Sequence, residues 1–366
     1  MPPELRRFSP QPENNKEIEP HLRTAIIYAG QGQDLEKLCS RSIELRRHPA
    51  ALLVFDQCDE ILAREFPDRF NEGLSPIIRQ GSEDSIRQNQ QLIVLLYNLA
   101  CTSVLKQQEE ENDFRFPPNS SIVAVSGQSL GLISAIVESG AIDVPNMLRL
   151  GVSRQDAMQE ANKQNPGTLV ALTADASDER VKKLMRAYGL EISIITGSSL
   201  VVLGGQIQAV EKAVIEVRNM RGEKDQRLRV LPLKTDGAFH TSLMKPAAEQ
   251  LKQALRSIKI GDAEFPVIAN TTGNEIHTPE RIKKEIEDQL TRPVLWLRST
   301  KTMTNKVDQF VEIGNDGLLT GHIKREIENS TGENDSLAKR LLHASGITIN
   351  AIGAILTIRP PQTNPY

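Results

Sequence analysis

A serine flanked by two glycines lies where a strand-like apolar run meets a helix-like one. Residues 122–125, Ile-Val-Ala-Val, have the β-branched composition of a buried strand, and residues 130–137 are apolar at helical density. The sequence Gly-Gln-Ser-Leu-Gly at 127–131 matches the nucleophile elbow, a strained strand-to-helix turn in which glycines relieve crowding and the serine oxygen projects from the tip. Such a turn places Ser129 at a helix N-terminus, where backbone N–H groups favour a developing negative charge.

The elbow motif alone leaves a second interpretation open. A connection that contains glycine and serine but has no chemical role shares the same local sequence. A nucleophilic serine also needs a base, oxyanion donors and usually a group that orients the base. The rest of the chain therefore decides between the two interpretations.

The composition favours a globular protein of the reducing interior of a cell. With 366 residues the chain can bury a large core, and 44 basic side chains against 47 acidic ones give no excess that would favour nucleic acid. Three cysteines without metal-ligand spacing predict reduced thiols and a cytoplasmic location. No apolar run reaches the ~20 residues of a membrane helix, and the first residues lack the apolar core of a signal peptide. We therefore expect no nucleic-acid and no membrane partner.

Strand and helix patterns alternate along most of the chain. A strand at 24–28 ends in the glycine-rich turn 29–32, a mostly helical stretch covers about 50–107, and further strands are predicted at 265–268 and 309–313. Alternation of this kind predicts an α/β protein whose parallel sheet is covered by helices. Its ligand site is expected at the carboxyl ends of the strands.

A different pattern begins near Pro166. The segment that follows has the order strand, helix, strand, strand, helix, strand, which is typical of a ferredoxin-like unit. We therefore expect a small subdomain inserted into the larger one. The predicted organisation is a flexible leader (1–22), a large subdomain (23–165 and 233–330), the small subdomain (166–232) and a C-terminal extension (331–366), in which 347–358 can form a strand or a helix.

His240 and Gln31 are the first candidates to complete a serine site. His240 follows the return of the chain from the small subdomain, and an imidazole near neutral pKa can take the serine proton and pass it to a leaving group. Gln31 lies in the turn after the first strand, from which its backbone N–H and that of Leu130 are expected to form an oxyanion hole. A dinucleotide-binding loop is the weaker alternative for this turn, because the third glycine and the acidic residue after the next strand are missing.

Four separated motifs resemble, in order, those of the malonyl-CoA:acyl carrier protein transacylases, the acyltransferase family of fatty-acid and polyketide synthesis. They are the Gly-Gln-Gly turn at 30–32, the elbow at 127–131, the histidine loop at 237–246 and the Gln-Leu, Pro-Val and Trp residues within 289–296. The resemblance covers about residues 24–326. It implies an α/β-hydrolase-like large subdomain with the ferredoxin-like subdomain inserted into it.

The resemblance implies a role for each matched residue. Ser129 corresponds to the acylated nucleophile and His240 to its general base. In this family a backbone carbonyl, here that of Gln289, orients the histidine in place of an aspartate. Gln31 and Leu130 correspond to the residues whose N–H groups bind the oxyanion.

Arg154 is expected to select the acyl group. It lies in a segment that resembles the family helix whose arginine binds the free carboxylate of a malonyl group. Guanidinium and carboxylate match as a two-pronged pair, and such charge-assisted hydrogen bonds are worth ~1.5–3 kcal/mol. A solvated arginine on a helix face is the alternative. Gln90 and Phe239 are expected to line the same pocket.

The chain departs from the family pattern at four places. Gln128 replaces the usual histidine of the elbow, Leu132 replaces the usual glutamate, and Thr196 stands where asparagine is common. Gly-Asn-Asp-Gly at 314–317 replaces the usual Gly-Pro-Gly-Lys turn. Starter-unit and fungal synthase acyltransferases also tend to carry leucine after the second glycine, so these positions bear on the choice of acyl group.

The resemblance implies transfer of malonyl from coenzyme A, through an ester on Ser129, to the phosphopantetheine thiol of an acyl carrier protein. No metal and no bound cofactor is expected, since the coenzyme A thioester is itself a substrate. A basic rim of Lys283, Lys284 and Arg292 is expected to face the acidic carrier protein. Three alternatives stay open: a starter-unit or trans-acting polyketide acyltransferase that uses another acyl-CoA, a serine carboxylesterase, and a carrier-protein docking module without catalysis.

Overall fold

Two β-sheets organise the part of the chain that the computed structural model describes, which comprises residues 22–32, 34–110, 120–220, 228–314, 317–331, 341–345 and 352–358. The strands are β1 (Leu22–Tyr28), β2 (Ser120–Gly127), β3 (Gly167–Leu172), β4 (Glu191–Gly197), β5 (Leu200–Gln206), β6 (Val230–Pro232), β7 (Val267–Ile268), β8 (Glu275–Ile276), β9 (Gln309–Ile313), β10 (Leu341–Ser345) and β11 (Ile352–Ile358). The helices are α1 (Leu35–Leu45), α2 (Pro49–Glu65), α3 (Ser75–Gln80), α4 (Glu83–Gln88), α5 (Gln90–Glu110), α6 (Gly131–Glu138), α7 (Val144–Gln164), α8 (Glu179–Tyr188), α9 (Ile207–Met220), α10 (Lys245–Ala254), α11 (Pro279–Gln289), α12 (Trp296–Thr304) and α13 (Leu318–Thr331).

The larger sheet has the strand order β10-β11-β9-β1-β2-β7-β8. Strands β9, β1, β2 and β7 are parallel to their neighbours in the centre, whereas β8, β11 and β10 pair antiparallel at the edges. The predicted α/β class is therefore confirmed, but the sheet is mixed and the expectation of a parallel sheet holds only for its centre. One reason is local: the connection between β7 and β8 is too short for the crossover that a parallel pair needs.

The carboxyl ends of three central strands meet at one edge of this sheet. Tyr28, the last residue of β1, pairs with Gly127 of β2 and with Ile313 of β9. The turn that follows β1 and the elbow that follows β2 consequently lie side by side, at the edge where α/β proteins bind their ligands. The backbone N–H of Gln128, the first residue of the elbow after β2, donates to the carbonyl of Tyr28 at 3.2 Å.

Helices cover both faces of the larger sheet, and the side chains of β1 alternate between the two layers. Ile26 and Tyr28 belong to the core formed with α5, α2 and α7, whereas Ala25 and Ile27 belong to the core formed with α12 and α13. Burial on both faces explains why the strand is a continuous apolar run. Trp296, which begins α12, is fully buried in the second core.

The helical stretch predicted at about 50–107 consists of the four helices α2 to α5. Two glycines mark its interruptions. Gly73 adopts a positive φ of 81° before α3, and Gly81 ends α3. Ser82 then caps α4, because its side chain accepts a hydrogen bond from the backbone N–H of Ser85 at 3.2 Å.

The smaller sheet has the order β4-β5-β3-β6, and each neighbouring pair is antiparallel. With α8 between β3 and β4 and α9 between β5 and β6, the element order is the one predicted from the sequence. Residues such as Val181 of α8 and Val217 of α9 pack on Leu203 of β5 in a separate apolar core. The unit therefore has its own core and packs beside the larger sheet.

The predicted leader and the C-terminal extension are described only in part. Of residues 1–22, Leu22 alone is described, and it begins β1. Strands β10 and β11 extend the larger sheet next to β9. The segment 347–358, for which the sequence allows a strand or a helix, is a strand over Ile352–Ile358, and its first residues lie outside the described ranges.

Among the helices in these ranges, none combines the length and the apolar character that crossing a membrane requires.

Gly131, the first residue of α6, packs directly against β1. A Cβ at this position would overlap the carbonyl oxygen of Tyr28, and since both groups belong to the backbone neither can move aside without disturbing the sheet. We expect Gly131→Ala to lower the free energy of unfolding by about 3 kcal/mol or more, measured by urea denaturation. The control is Gly321→Ala in α13, where a Cβ meets nothing within 4 Å and alanine should stabilise by roughly 0.5–1 kcal/mol. Equal effects of the two substitutions would contradict this contact.

Candidate active site

Ser129 lies at the tip of the turn between β2 and α6 in a backbone conformation that is rare for residues with a side chain. Its φ is 54°. This left-handed conformation costs about 1–3 kcal/mol and persists only where the surroundings hold the residue in it. The side-chain amide of Asn270 does so. Its Oδ1 accepts from the backbone N–H of Ser129 at 2.8 Å, and its Nδ2 donates to the carbonyl of Gly127 at 2.8 Å. The elbow expected from the sequence is present.

His240 contacts Ser129 although the two residues are 111 positions apart. Its Nε2 lies 2.7 Å from Ser129 Oγ, and its Nδ1 lies 2.7 Å from the carbonyl oxygen of Gln289. Because a carbonyl only accepts, Nδ1 carries the proton; Nε2 of the neutral ring is then the acceptor and the Ser129 hydroxyl donates to it. The structure thus brings together Ser129, His240 and Gln289, while their roles in a reaction stay a prediction.

His240 is buried and carries no charge at neutral pH. Burial lowers the pKa of its imidazole from 6.5 to about 4; the hydrogen bond to the Gln289 carbonyl opposes this shift, and the positive charge of Arg154 adds to it. Its φ is 62°, so that among the described residues Ser129 and His240 are the only ones other than glycine with a positive φ. The two residues with strained backbones are therefore the same two whose side chains form a hydrogen bond.

Arg154 of α7 lies beside Ser129 with only 1% of its surface exposed. One terminal nitrogen donates to Gln91 Oε1, the other lies 3.4 Å from Ser129 Oγ, and Nε has no hydrogen-bond partner among the described residues. Burial lowers the pKa of the guanidinium from 12.5 to about 9, which leaves it charged at neutral pH. The alternative of a solvated arginine is wrong. A buried cation that is incompletely paired is suited to bind an anionic group.

Gln91 is the contact of Arg154 that the sequence analysis missed. Besides accepting from Arg154, its side chain donates to Met158 Sδ at 3.3 Å, and its backbone N–H donates to Gln155 Oε1 at 3.1 Å. Gln90, the residue expected in the pocket, is its half-buried neighbour at the start of α5. Adjacent residues of a helix point in different directions, so the contact of Gln91 with Arg154 does not decide the place of Gln90, which stays a prediction. The feature of the sequence that could have indicated Gln91 is its position immediately before the buried apolar run of α5.

The turn after β1 lies against the elbow. A Cβ on Gly30 would overlap the carbonyl oxygen of Gln128 and lie 3.5 Å from the backbone nitrogen of Leu130. Leu130 is fully buried and precedes the first residue of α6, in the region where N–H groups have no partner within the helix. Gln31, next to Gly30, is half-buried. Both expected N–H donors thus lie where the turn after β1 meets the elbow, and their binding of an oxyanion stays a prediction.

A buried polar network behind the elbow was not identified from the sequence. Glu285 accepts from the backbone N–H groups of Asn270 at 2.8 Å and Thr271 at 3.0 Å, and also from the Thr271 hydroxyl. Gln289 Nε2 donates to the carbonyl of Ser129 at 3.0 Å. Burial raises the pKa of Glu285, and its hydrogen bonds oppose that rise. Glu285 lies four residues before Gln289 on α11, and the two share one face of the helix, which is the signal that could have indicated Glu285.

The remaining predicted positions lie around this centre. Phe239 is half-buried and packs against the cores of both sheets. Of the departures from the family pattern, Leu132 is buried in the core of the larger sheet, Thr196 is buried on β4, and Gln128 is half-buried. Within 314–317, positions 315 and 316 lie outside the described residues.

A cleft of about 460 Å³ opens beside Gly32, the last residue of the turn that contacts the elbow. The cationic side chains of Lys37, Arg41 and Arg325 line it, together with the carboxylate of Asp34. The excess of positive charge suits a ligand that carries phosphate groups. The described residues contain no cluster of three or more His, Cys, Asp or Glu side chains able to hold a metal ion.

The chain is similar to curated proteins and to solved structures. No protein-family model matches the chain. A malonyl CoA-acyl carrier protein transacylase of Bacillus subtilis (strain 168) is 29% identical over 308 residues, covering 83% of this chain and 90% of that protein. The crystal structure of an acyl-carrier-protein-S-malonyltransferase from Bartonella henselae has a TM-score of 0.68 and 28% identity, covering 83% of this chain and 92% of its own.

A second solved structure is a malonyl-transacylase in complex with its type II PKS acyl-carrier protein. It has a TM-score of 0.69 and 27% identity, covering 86% of this chain and 96% of its own. The resemblance inferred from the four motifs is confirmed. The chain is similar in sequence to malonyl CoA-acyl carrier protein transacylases over most of its length and shares the α/β fold of the solved ones.

The burial of His240 predicts how the reactivity of Ser129 depends on pH. A fluorophosphonate probe reacts with a serine whose proton a base removes, so the rate constant of labelling should follow the unprotonated fraction of His240. Because the pKa of His240 is lowered, the neutral form persists into acid, and we expect the rate constant to fall with a midpoint near pH 4. Circular dichroism over the same pH range controls for unfolding. A midpoint near the usual histidine value of 6.5 would contradict the buried, uncharged imidazole.

Proposed function

Because the chain is similar to malonyl CoA-acyl carrier protein transacylases, we propose that it is a malonyltransferase. It moves malonyl from coenzyme A, through an ester on Ser129, to the phosphopantetheine thiol of an acyl carrier protein. The observation that carries the proposal is the hydrogen-bonded series Ser129, His240 and Gln289 beside the buried guanidinium of Arg154. The first three residues supply an activated nucleophile, and Arg154 supplies a charge for the acyl group.

In the first step, the Ser129 hydroxyl attacks the thioester carbonyl of malonyl-CoA while its proton passes to Nε2 of His240. The tetrahedral intermediate carries its negative charge on the former carbonyl oxygen, which accepts hydrogen bonds from the N–H groups of Gln31 and Leu130. Each such donor is worth ~10²–10³ in rate. The carbon–sulfur bond then breaks, and His240 returns the proton to the sulfur of coenzyme A.

In the second step, the phosphopantetheine thiol of the carrier protein gives its proton to His240 and attacks the ester carbonyl on Ser129. The same N–H groups bind the second oxyanion. The serine oxygen leaves and takes the proton back from His240, which regenerates the free enzyme. The hydrogen bond from Nδ1 to the Gln289 carbonyl keeps Nε2 facing the serine in both steps and stabilises the imidazolium that forms.

Arg154 gives the site its preference for malonyl. Its terminal nitrogen lies 3.4 Å from Ser129 Oγ, and in malonyl a single methylene separates the carboxylate from the carbonyl under attack. A carboxylate that is one methylene away from the reacting carbon fits a guanidinium that lies 3.4 Å from the attacking oxygen. Binding it also pairs a cation that the free protein buries without a carboxylate partner among the described residues. Gln91 holds one side of the guanidinium, and the neighbouring Gln90 and Phe239 complete the pocket.

The buried positive charge of Arg154 also distinguishes between the alternative functions. A serine carboxylesterase for simple esters has no use for a charged guanidinium at its nucleophile. A docking module without catalysis has no use for a serine whose hydroxyl donates to an uncharged histidine. A starter-unit or trans-acting acyltransferase shares the whole apparatus, so the acyl group distinguishes it. We therefore place malonyl first and test it against other acyl donors below.

The proposed chemistry uses only side-chain and backbone groups, and we propose that no cofactor is bound other than the coenzyme A thioester as substrate. The cationic cleft beside Gly32 suits the phosphates of coenzyme A and of phosphopantetheine. In the expected basic rim, Lys284 and Arg292 form ion pairs with Asp288, at 3.1 and 3.4 Å. The carboxylate offsets part of their positive charge, which weakens the attraction of the rim for an acidic carrier protein. The reduced thiols of the cysteines agree with a cytoplasmic enzyme.

We also propose how the chain is divided. The larger sheet with its elbow supports an α/β-hydrolase-like subdomain over 23–165 and 233–330. The smaller sheet with α8 and α9 supports a ferredoxin-like subdomain over 166–232, because its strand order and helix positions match that arrangement. Residues 1–22 and 331–366 stay assigned to a leader and an extension.

The experiment that tests the function is intact-protein mass spectrometry after mixing with malonyl-CoA. We expect the wild-type protein to gain the mass of one malonyl group and to lose it when a phosphopantetheinylated carrier protein is added. Ser129→Ala removes the attacking oxygen and should gain nothing. The control Ser257→Ala changes an exposed serine and should behave as wild type. The proposal fails if the wild type is not acylated, or if Ser129→Ala is.

A panel of acyl-CoA donors tests the role of Arg154. We expect Arg154→Ala to lower kcat/KM for malonyl-CoA by roughly 10- to 150-fold, the equivalent of the ~1.5–3 kcal/mol of a charged hydrogen bond, and to raise it for acetyl-CoA. The control is Arg149→Ala on the same helix, since that side chain is partly exposed and paired with Glu65 at 2.6 Å. Equal wild-type rates with malonyl-CoA and acetyl-CoA would show that Arg154 does not select the acyl group.

A further inference from the structure

Strand β4 of the smaller sheet contacts two chain segments that adjoin the hydrogen bond between His240 and Gln289. The first segment is the histidine loop that follows β6. The second is the connection between α11 and α12, which begins directly after Gln289. Neither segment belongs to a strand of the larger sheet.

Ser193 makes the contact on one side of the histidine. Its side chain is fully buried, and its hydroxyl donates to the carbonyl of Phe239 at 2.8 Å. Phe239 is the residue immediately before His240, so this bond fixes the peptide from which the strained backbone of His240 departs.

Glu191, two residues earlier on β4, makes the contact on the other side. Its carboxylate accepts from the backbone N–H of Ser242 at 3.0 Å and also from the Ser242 hydroxyl. Ser193 lies at a register shift in the pairing of β4 with β5, between Ile192 and Ile194. Together the side chains of Glu191 and Ser193 bind the histidine loop both before and after His240.

The backbone of β4 holds the second segment. The N–H of Val294 donates to the carbonyl of Ser193 at 2.9 Å, and the N–H of Ile195 donates to the carbonyl of Val294 at 2.9 Å. Ile194 and Val294 form a parallel bridge between the two subdomains. Ser193 thus contacts the histidine loop with its side chain and the segment after Gln289 with its carbonyl.

We propose that Glu191, Ser193 and Ile195 form a clamp, here called the β4 clamp, which sets the position of His240 against Gln289, and that Ser193 is a positioning residue for the histidine. The inference rests on the proposed function for its consequence in acyl transfer. Its physical basis is independent: a left-handed histidine persists only where its surroundings hold it, and a small misplacement of a base lowers the rate of proton transfer steeply. The inserted subdomain is by this inference part of the catalytic apparatus.

The experiment compares Ser193→Ala with Ser139→Ala. Ser139 is also fully buried and also donates to a carbonyl at 2.8 Å, that of Ile136, but it lies at the far end of α6. We expect the two substitutions to lower the melting temperature similarly. We expect Ser193→Ala alone to slow fluorophosphonate labelling of Ser129, by about tenfold to a hundredfold. The half-saturating concentration of malonyl-CoA should change less than twofold, because Arg154 and Gln91 lie on other elements.

Glu191→Gln provides a second variant that keeps Ser193 and alters a half-buried side chain. The amide oxygen can still accept from the backbone N–H of Ser242 and the amide nitrogen can donate to its hydroxyl, so the two charge-assisted bonds become weaker neutral ones, and we expect a smaller decrease in the labelling rate. Labelling of Ser193→Ala at the wild-type rate, or an equal decrease in Ser139→Ala, would overturn the clamp. Since labelling needs no acyl donor, a wild-type protein that reacts with the probe but not with malonyl-CoA would contradict the proposed function and leave the test of the clamp intact.

Discussion

The side-chain amide of Asn270 fixes the backbone from which Ser129 projects, and the geometry of the site depends on that constraint. The left-handed conformation of Ser129 costs about 1–3 kcal/mol, and it persists because Asn270 bonds to the chain at Ser129 and at Gly127. Close packing restricts the same turn, since a Cβ on Gly131 would overlap β1. If Ser129 relaxed to an ordinary φ, its hydroxyl would leave Nε2 of His240. The polar interaction and the packing therefore act together to keep the nucleophile in place.

The buried polar groups around the site are of two kinds. Asn270, Glu285 and Gln289 form a connected hydrogen-bond network, and satisfied networks of this kind make the surrounding structure rigid. Arg154 is buried with its charge incompletely paired, which costs stability in the free protein that an anionic ligand can recover. The first arrangement holds the turn at Ser129. The second leaves a buried positive charge beside the Ser129 hydroxyl.

The two sheets contribute to one site in different ways. The larger sheet aligns the carboxyl ends of β1, β2 and β9, which places the turn at Gln31 beside the elbow. The smaller sheet contributes no reacting group, but its strand β4 binds the histidine loop and the segment after Gln289. A serine and a histidine that come from distant parts of the chain are thus held by separate supports. The larger sheet therefore supports the turn at Ser129, and the smaller sheet supports the loop that carries His240.

The sequence by itself determined the local structure and the kind of chemistry. β-branched runs, glycines and helix caps act over a few residues, so the elbow and most strands of both sheets could be predicted from neighbouring side chains, although β8 and β10 were not. His240 was a candidate by its chemistry, and the resemblance to a family paired it with Ser129 and added Gln289 and the helix that carries Arg154. Only the tertiary structure decided that Gln91 and not Gln90 contacts Arg154, that Asn270 holds the elbow, that β4 holds the histidine loop, and that the edges of the larger sheet are antiparallel. Those contacts join residues that lie far apart in the chain, and their distances depend on how whole elements pack, which no short stretch of sequence specifies.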